Sequence, residues 1–231
     1  MNSWEKSDSV FVEDGEYHDI NGNSGPYNGP VTDTQNNSVI IGPKDFDLMK
    51  RLRNAGTDHR KFTRMIDVYV DIMAPLYWWK EFDTYKIGTV ANSCSTMHKI
   101  ADKEFTLEDF STDQLCHNAC DIYGIIDVFG DGDGKEMMAP IRIIEMTIEM
   151  LNAMLKQYLE TKDKTYWWQM IQLLPSSYNQ RRTIKLNYEV LANMYKSRKD
   201  HKLDEWHDLC DWARTLPYSQ LITGEFDETE D

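Results

Sequence analysis

Residues 65–82 read MIDVYVDIMAPLYWWKEF, and two different periods meet inside them. From Met65 to Met73 the pattern alternates, with Ile66, Val68, Val70 and Ile72 on one face and Asp67, Tyr69 and Asp71 on the other. That alternation predicts a half-buried strand. Pro75 allows a new start, and Leu76 to Phe82, dense in rings (Tyr77, Trp78, Trp79, Phe82), predicts a short helix packed against a sheet.

Working outward toward the C-terminus, the period changes to that of helices. Ile141, Ile144, Ile148, Leu151, Leu155 and Tyr158 recur at steps of three and four, which predicts a helix of about five turns. Tyr166 to Leu174 predicts another that stops before Pro175, and Asn187 to Ser197 a third. Leu203 to Thr215 predicts a fourth, with Leu203, Trp206, Leu209, Cys210 and Ala213 along one side. Toward the N-terminus, Asp45 is placed to cap a helix whose Phe46, Met49, Leu52 and Arg53 stem share a face, with Gly56 just past its end. Residues 17–37, YHDINGNSGPYNGPVTDTQNN, lack an apolar period and predict an irregular segment, so order is expected from about Val39. The expected architecture is α+β, a small antiparallel sheet with a long helical part. Its expected organisation is an irregular arm over 1–38, one domain over 39–222 and an acidic tail over 223–231.

The chain has 231 residues, 25 of them Lys or Arg and 39 Asp or Glu, for a net charge of -14. Glu225, Asp227, Glu228, Glu230 and Asp231 concentrate part of that charge at the C-terminus. Such a balance argues against a protein that coats DNA, which needs a basic surface to neutralise phosphates. The sequence contains no apolar run long enough to span a bilayer, and MNSWEKSDSV lacks the basic-then-apolar order of a secretory signal. A cytoplasmic protein without membrane attachment is the expectation. Cys116 and Cys120 are four apart, but no second pair follows at zinc-ribbon spacing, so the thiols are expected to be buried or half-buried rather than metal ligands. The Asp131–Gly134 run places Phe129 and Pro140 where a calcium loop needs its first and twelfth ligands, which predicts an acidic turn instead.

Two blocks resemble the flavin-dependent thymidylate synthases, the family unrelated to the enzyme with a cysteine nucleophile. Residues 173–206, LLPSSYNQRRTIKLNYEVLANMYKSRKDHKLDEW, carry a Leu174-Pro175 pair, Asn187 twelve residues on, then Leu191, Asn193 and Arg198, with His201 and Glu205 following. In residues 56–99, His59, Ala74 and Pro75 match the family's order. Thr84, Tyr85 and Lys86 fall on its Arg-His-Arg positions, Thr89 on its Ser, and Asn92 and Ser95 on the loop after it.

The resemblance implies a homotetrameric enzyme that binds FAD and transfers a one-carbon unit from methylene-tetrahydrofolate to dUMP, with NADPH as reductant and no protein nucleophile. On the matching positions, it assigns cofactor contacts to His59, Thr84, Tyr85, Lys86, Thr89, Asn187 and Asn193, and substrate contacts to Asn92, Ser95 and Arg198. Amide side chains can hydrogen-bond flavin ring or ribityl groups, and a guanidinium can form a fork to uracil or phosphate. The sequence departs from the pattern in three respects. Lys86 supplies one cation where the family has two arginines, and Ile171 and Glu189 stand where the family often has arginine. A carboxylate at 189 is expected to repel the FAD pyrophosphate. Two other classes therefore stay open: a nucleotide-binding protein on the same fold without flavin chemistry, and an acidic interaction protein.

Overall fold

The computed structural model describes residues 6–28, 38–117 and 139–226. In chain order they form β1 (Val10–Glu13), β2 (Glu16–Asp19), β3 (Ser24–Pro26) and β4 (Ser38–Ile40), then α1 (Pro43–Asn54), β5 (Asp67–Pro75) and α2 (Leu76–Phe82). There follow β6 (Val90–Ser93), α3 (Thr96–Lys99), α4 (Pro140–Thr161), α5 (Lys164–Leu173), β7 (Asn179–Asn187), α6 (Tyr188–Arg198), α7 (Asp204–Arg214) and α8 (Gln220–Thr223). The result is α+β, as the sequence predicts, with a second sheet added. Two compact units divide the chain, one made of Met1–Asp67 with Asn187–Asp231 and the other of Val68–Leu186.

The first unit begins with the added sheet, four strands in the order β3-β2-β1-β4. This corrects the expectation of an irregular arm: residues 16–19 and 24–26 are strands, and β1 pairs with both β2 and β4. The local reason is the Asp14-Gly15 pair. Both residues have positive φ, 49° and 83°, and Glu13 faces Glu16 across them. Two consecutive residues of positive φ make the tight hairpin turn whose twist matches the flanking strands. Asp19 then ends β2 by accepting from the amides of Asn21 (2.9 Å) and Asn23 (2.8 Å). Among the described residues of this sheet only Val12 is fully buried, so the apolar period is too thin to announce the strands.

The α1 helix lies where predicted, but its cap does not. Gly42 is the N-cap residue, and the Asp8 carboxylate accepts from the amides of Lys44 (2.9 Å) and Asp45 (3.0 Å). Asp45 instead accepts the hydroxyls of Ser7 and Ser9 at 2.5 and 2.6 Å. The orphan amides of a first turn need an acceptor, and here one comes from outside the helix. At the other end Gly56, with φ 105°, ends the helix as expected. The α6 helix packs on α7, α8 and the 3-10 turn Arg60–Met65. Leu191, Met194, Trp206, Leu209, Ala213, Leu221 and Ile222 are buried in this unit. The α7 face carries the predicted Trp206, Leu209, Cys210 and Ala213. The expected tail is partly structured. Thr223 belongs to α8, and Glu225 accepts the Tyr195 hydroxyl at 2.8 Å, while residues 227–231 lie outside the described ones.

In the second unit the sheet order is β5-β7-β6, with β6 antiparallel to β7 and Val90 opposite Lys185. Along β5, Val68, Val70 and Ile72 are half-buried while Tyr69, Asp71 and Met73 are exposed, the alternation the sequence predicts. On α2, Trp78, Trp79 and Phe82 are buried and mutually in contact, with ring centroids 4.9, 5.1 and 5.3 Å apart. Leu151 and Leu155 of α4 join Ile100, Phe105, Phe110 and Met170 in a core against which Ile144, Ile148, Tyr158 and Trp167 pack. Trp168 is 52% exposed, outside that core.

The β7 strand is the element that the helical reading of the second half omits. Its last residues alternate Thr183, Ile184, Lys185 and Leu186, with Ile184 and Leu186 buried. Of the cysteines, Cys210 is buried as expected, whereas Cys94 and Cys116 are exposed. Cys120 and Asp131–Gly134 lie outside the described residues. Among those described, no helix is long and apolar enough to cross a membrane.

Candidate functional site

The ten residues assigned by resemblance fall into two groups. His59, Asn187, Asn193 and Arg198 belong to the first unit, and Thr84, Tyr85, Lys86, Thr89, Asn92 and Ser95 to the second.

In the first unit, Asn187, Asn193 and Arg198 are all set by α6. Asn187 is its N-cap residue, and its side-chain oxygen accepts from the Val190 amide at 3.1 Å. That bond satisfies one of the orphan amides of the first turn and turns the NH2 of Asn187 the other way. Arg198 is the last residue of the helix, half-buried, with its guanidinium over the Trp206 ring at 4.6 Å from the centroid. A planar cation stacked on an indole face is held in a fixed orientation. His201 accepts from the Leu203 amide through Nδ1 at 3.2 Å. Glu205 lies in the first turn of α7. His59 is exposed and its backbone amide donates to the Gly56 carbonyl at 3.0 Å, so the residue sits in the turn before the 3-10 segment.

The residue next to His59 was not singled out by sequence, and it organises this group. Arg60 is 9% exposed and holds Glu189 through two bonds, Nε to Oε2 at 2.7 Å and a terminal NH2 to Oε1 at 3.1 Å. The same NH2 donates to Asn193 Oδ1 at 2.8 Å, and Thr63 Oγ1 reaches Glu189 Oε2 at 3.1 Å. Glu189 is therefore not the unpaired carboxylate that the sequence suggested. Its charge is matched by a bidentate guanidinium, and this corrects the expected repulsion. Arg53 lies close by and donates to the α8 carbonyls of Leu221 (3.3 Å) and Ile222 (3.1 Å). Burial, followed by the charge of Arg60, holds the Arg53 guanidinium below its ordinary value.

In the second unit, Thr84 to Thr89 form the turn between α2 and β6. The Thr84 hydroxyl donates to the Glu81 carbonyl at 2.7 Å, and the Thr89 hydroxyl donates to the Tyr85 carbonyl. Both hydroxyls thus shape the turn. Lys86 is exposed, Asn92 is exposed opposite Thr183, and Ser95 is the N-cap residue of α3. Arg182 of β7 braces the start of the turn. It lies over the Trp79 ring at 4.3 Å, donates to Asp83 at 2.7 Å and to Gln180 Oε1 at 2.9 Å. Gln180 in turn donates to the Cys94 carbonyl (3.1 Å) and to Thr96 Oγ1 (3.0 Å), tying β7 to the segment that carries Ser95. The adjacent pair Arg181-Arg182, the two cations of an otherwise polar strand start, is the sequence signal that marks this brace.

No protein-family model matches the chain, and no curated protein matches it by sequence. Solved structures match it by fold. One is the flavin-dependent thymidylate synthase ThyX from Helicobacter pylori complexed with FAD and dUMP: TM-score 0.54 and 16% identity, over 80% of this chain and 85% of that one. A second structure of thymidylate synthase X from the same organism, also with FAD and dUMP, gives TM-score 0.54 and 18% identity over 79% and 83% of the two chains. The chain has a ThyX-like fold. The block over 56–99 runs from the turn before β5 through α3, and the block over 173–206 from the end of α5 into the first turn of α7.

Proposed function

We propose that the protein binds FAD and dUMP and transfers a one-carbon unit from methylene-tetrahydrofolate to the nucleotide, with NADPH as reductant, as a cytoplasmic homotetramer. The observation that carries this reading is the likeness in fold, over 80% of the chain, to enzymes complexed with FAD and dUMP. The side chains fit such ligands in chemical type. Lys86 and Arg198 supply cations, Asn187 and Asn193 have their oxygens engaged and so offer N–H donors, and Glu189 is neutralised by Arg60. Flavin ring carbonyls, uracil carbonyls and phosphates are all acceptors, several of them anionic.

Bound FAD would supply reducing equivalents and the folate the carbon, so this chain needs no nucleophile of its own. Its residues would hold and orient. Arg198, steadied by Trp206, would form the fork to the nucleotide, and Lys86 with the turn Thr84–Thr89 would face an anionic part of the cofactor. An absorbance spectrum of the purified protein with and without added FAD tests the reading: a flavin band retained after gel filtration supports it, and none at saturating FAD refutes it. A clean monomer of 27.1 kDa would refute the tetramer.

A second reading, a nucleotide-binding protein without flavin chemistry, is favoured by one observation. At the three positions of the Arg-His-Arg signature only Lys86 is cationic, and the Thr84 hydroxyl donates to Glu81. dUMP binding in calorimetry without any FAD binding would select this reading.

A further inference from the structure

We infer that Arg60 is a positioning residue that fixes which end of the Asn193 amide the protein presents to a ligand, an inference that rests on the ligand-binding role proposed for α6. A guanidinium carries N–H donors and no acceptor. The Asn193 atom 2.8 Å from the Arg60 terminal nitrogen is therefore its carbonyl oxygen on chemical grounds alone. The amide is planar, so engaging Oδ1 directs the NH2 the opposite way, and Asn193 is an exposed residue of α6.

Arg60 itself has little freedom. It is gripped at two nitrogens by Glu189, one helical turn before Asn193, and its own carbonyl accepts the Thr63 hydroxyl at 2.6 Å, which also lies 3.1 Å from Glu189 Oε2. Donation from the Arg60 guanidinium runs outward, into Glu189 and into Asn193, while the Thr63 hydroxyl has the Arg60 carbonyl as its nearer acceptor. The outward surface of α6 at 193 is thus a hydrogen-bond donor, and the ligand group it selects is an acceptor such as a ring carbonyl or phosphate oxygen. A ligand offering a ring N–H or amino group at that point is disfavoured, since two donors would meet.

Reversing the pair tests this. In Arg60→Glu/Glu189→Arg the ion pair is retained, but position 60 now only accepts, which turns the Asn193 NH2 inward. The probes are solvent exchange of the Asn193 side-chain NH2 by nitrogen-15 NMR, its signal assigned by its loss in Asn193→Asp, and titration with FAD and with dUMP. Exchange is expected to be fast in the wild type and about tenfold slower or more in the reversed pair, with affinity for the ligand that contacts Asn193 down about tenfold. A protected NH2 in the wild type, or equal exchange in the two proteins, overturns the inference.

Should the reversed pair fail to fold, Asn193→Asp serves. It keeps an oxygen toward Arg60, removes the donor, and is expected to fold at wild-type stability with about tenfold weaker binding. Unchanged affinity in that variant overturns the inference too. If the wild type binds neither FAD nor dUMP, the proposed function fails, while the exchange of the Asn193 NH2 still decides the role of Arg60.

Discussion

Replacing Arg60 by alanine removes three charge-assisted hydrogen bonds, at 2.7, 3.1 and 2.8 Å, and leaves the Glu189 carboxylate with Thr63. The side chains of the pair are 11% and 10% exposed, so water cannot take over the lost role. Breaking one side of a buried pair typically costs about 3–5 kcal/mol, because the remaining charge stays desolvated. For a chain of this size that corresponds to a drop of about 6 to 20 °C in the melting midpoint. The internal control is Arg142–Glu145 on α4, whose side chains are 50% and 43% exposed. Arg142→Ala should cost no more than about 1 kcal/mol. Urea unfolding followed by tryptophan fluorescence, supported by calorimetry, measures both. The double variant Arg60→Leu/Glu189→Leu should recover most of the loss, since neither charge then remains buried. Should Arg60→Ala lose less than about 1 kcal/mol, the pair is not the clamp described here. On the same grounds Glu189→Arg sets a second guanidinium against Arg60 and destabilises the protein rather than tightening FAD binding.

Three further outcomes are expected. Arg198→Ala should weaken dUMP binding in calorimetry by about 1.5–3 kcal/mol, with Arg198→Lys recovering only part because a point charge cannot replace a planar fork; equal affinity in wild type and Arg198→Ala removes the nucleotide contact. Asp8→Ala should cost about 0.5–2 kcal/mol by stripping α1 of its borrowed cap, whereas Asp8→Asn keeps an acceptor and should cost less; equal unfolding midpoints for the wild type and Asp8→Ala would count against that cap. The Thr183 hydroxyl, followed by Arg181, holds the Asp71 carboxyl below its ordinary 3.8. Its stabilising contribution is therefore present above about pH 4 and lost as pH falls through the lower folded value. An NMR titration of Asp71 with a midpoint at or above 3.8 would contradict this.

Periodic elements needed only local sequence. The alternation over Val68–Met73, the three-four spacing of α4 and the apolar side of α7 each repeat the same instruction several times within one element, so the face to be buried is fixed wherever the rest of the chain goes. The hairpin at Asp14-Gly15 was not read, although that dipeptide supplies the two positive φ values the turn requires, because the strands beside it carry too thin an apolar period to mark them. Glu189 and Asn193 were legible as positions of a motif, and their chemistry was not. A carboxylate in sequence has a charge but no partner. Whether it repels a phosphate or locks a guanidinium depends on Arg60, 129 residues earlier, and the fate of the Asn193 amide depends on the same group. Likewise the cap of α1 comes from Asp8, 36 residues before the Lys44 amide it satisfies. Such partners are single contacts without a period, brought together only when the intervening chain has folded; the tertiary structure alone decides which polar groups are satisfied inside and which remain to meet a ligand.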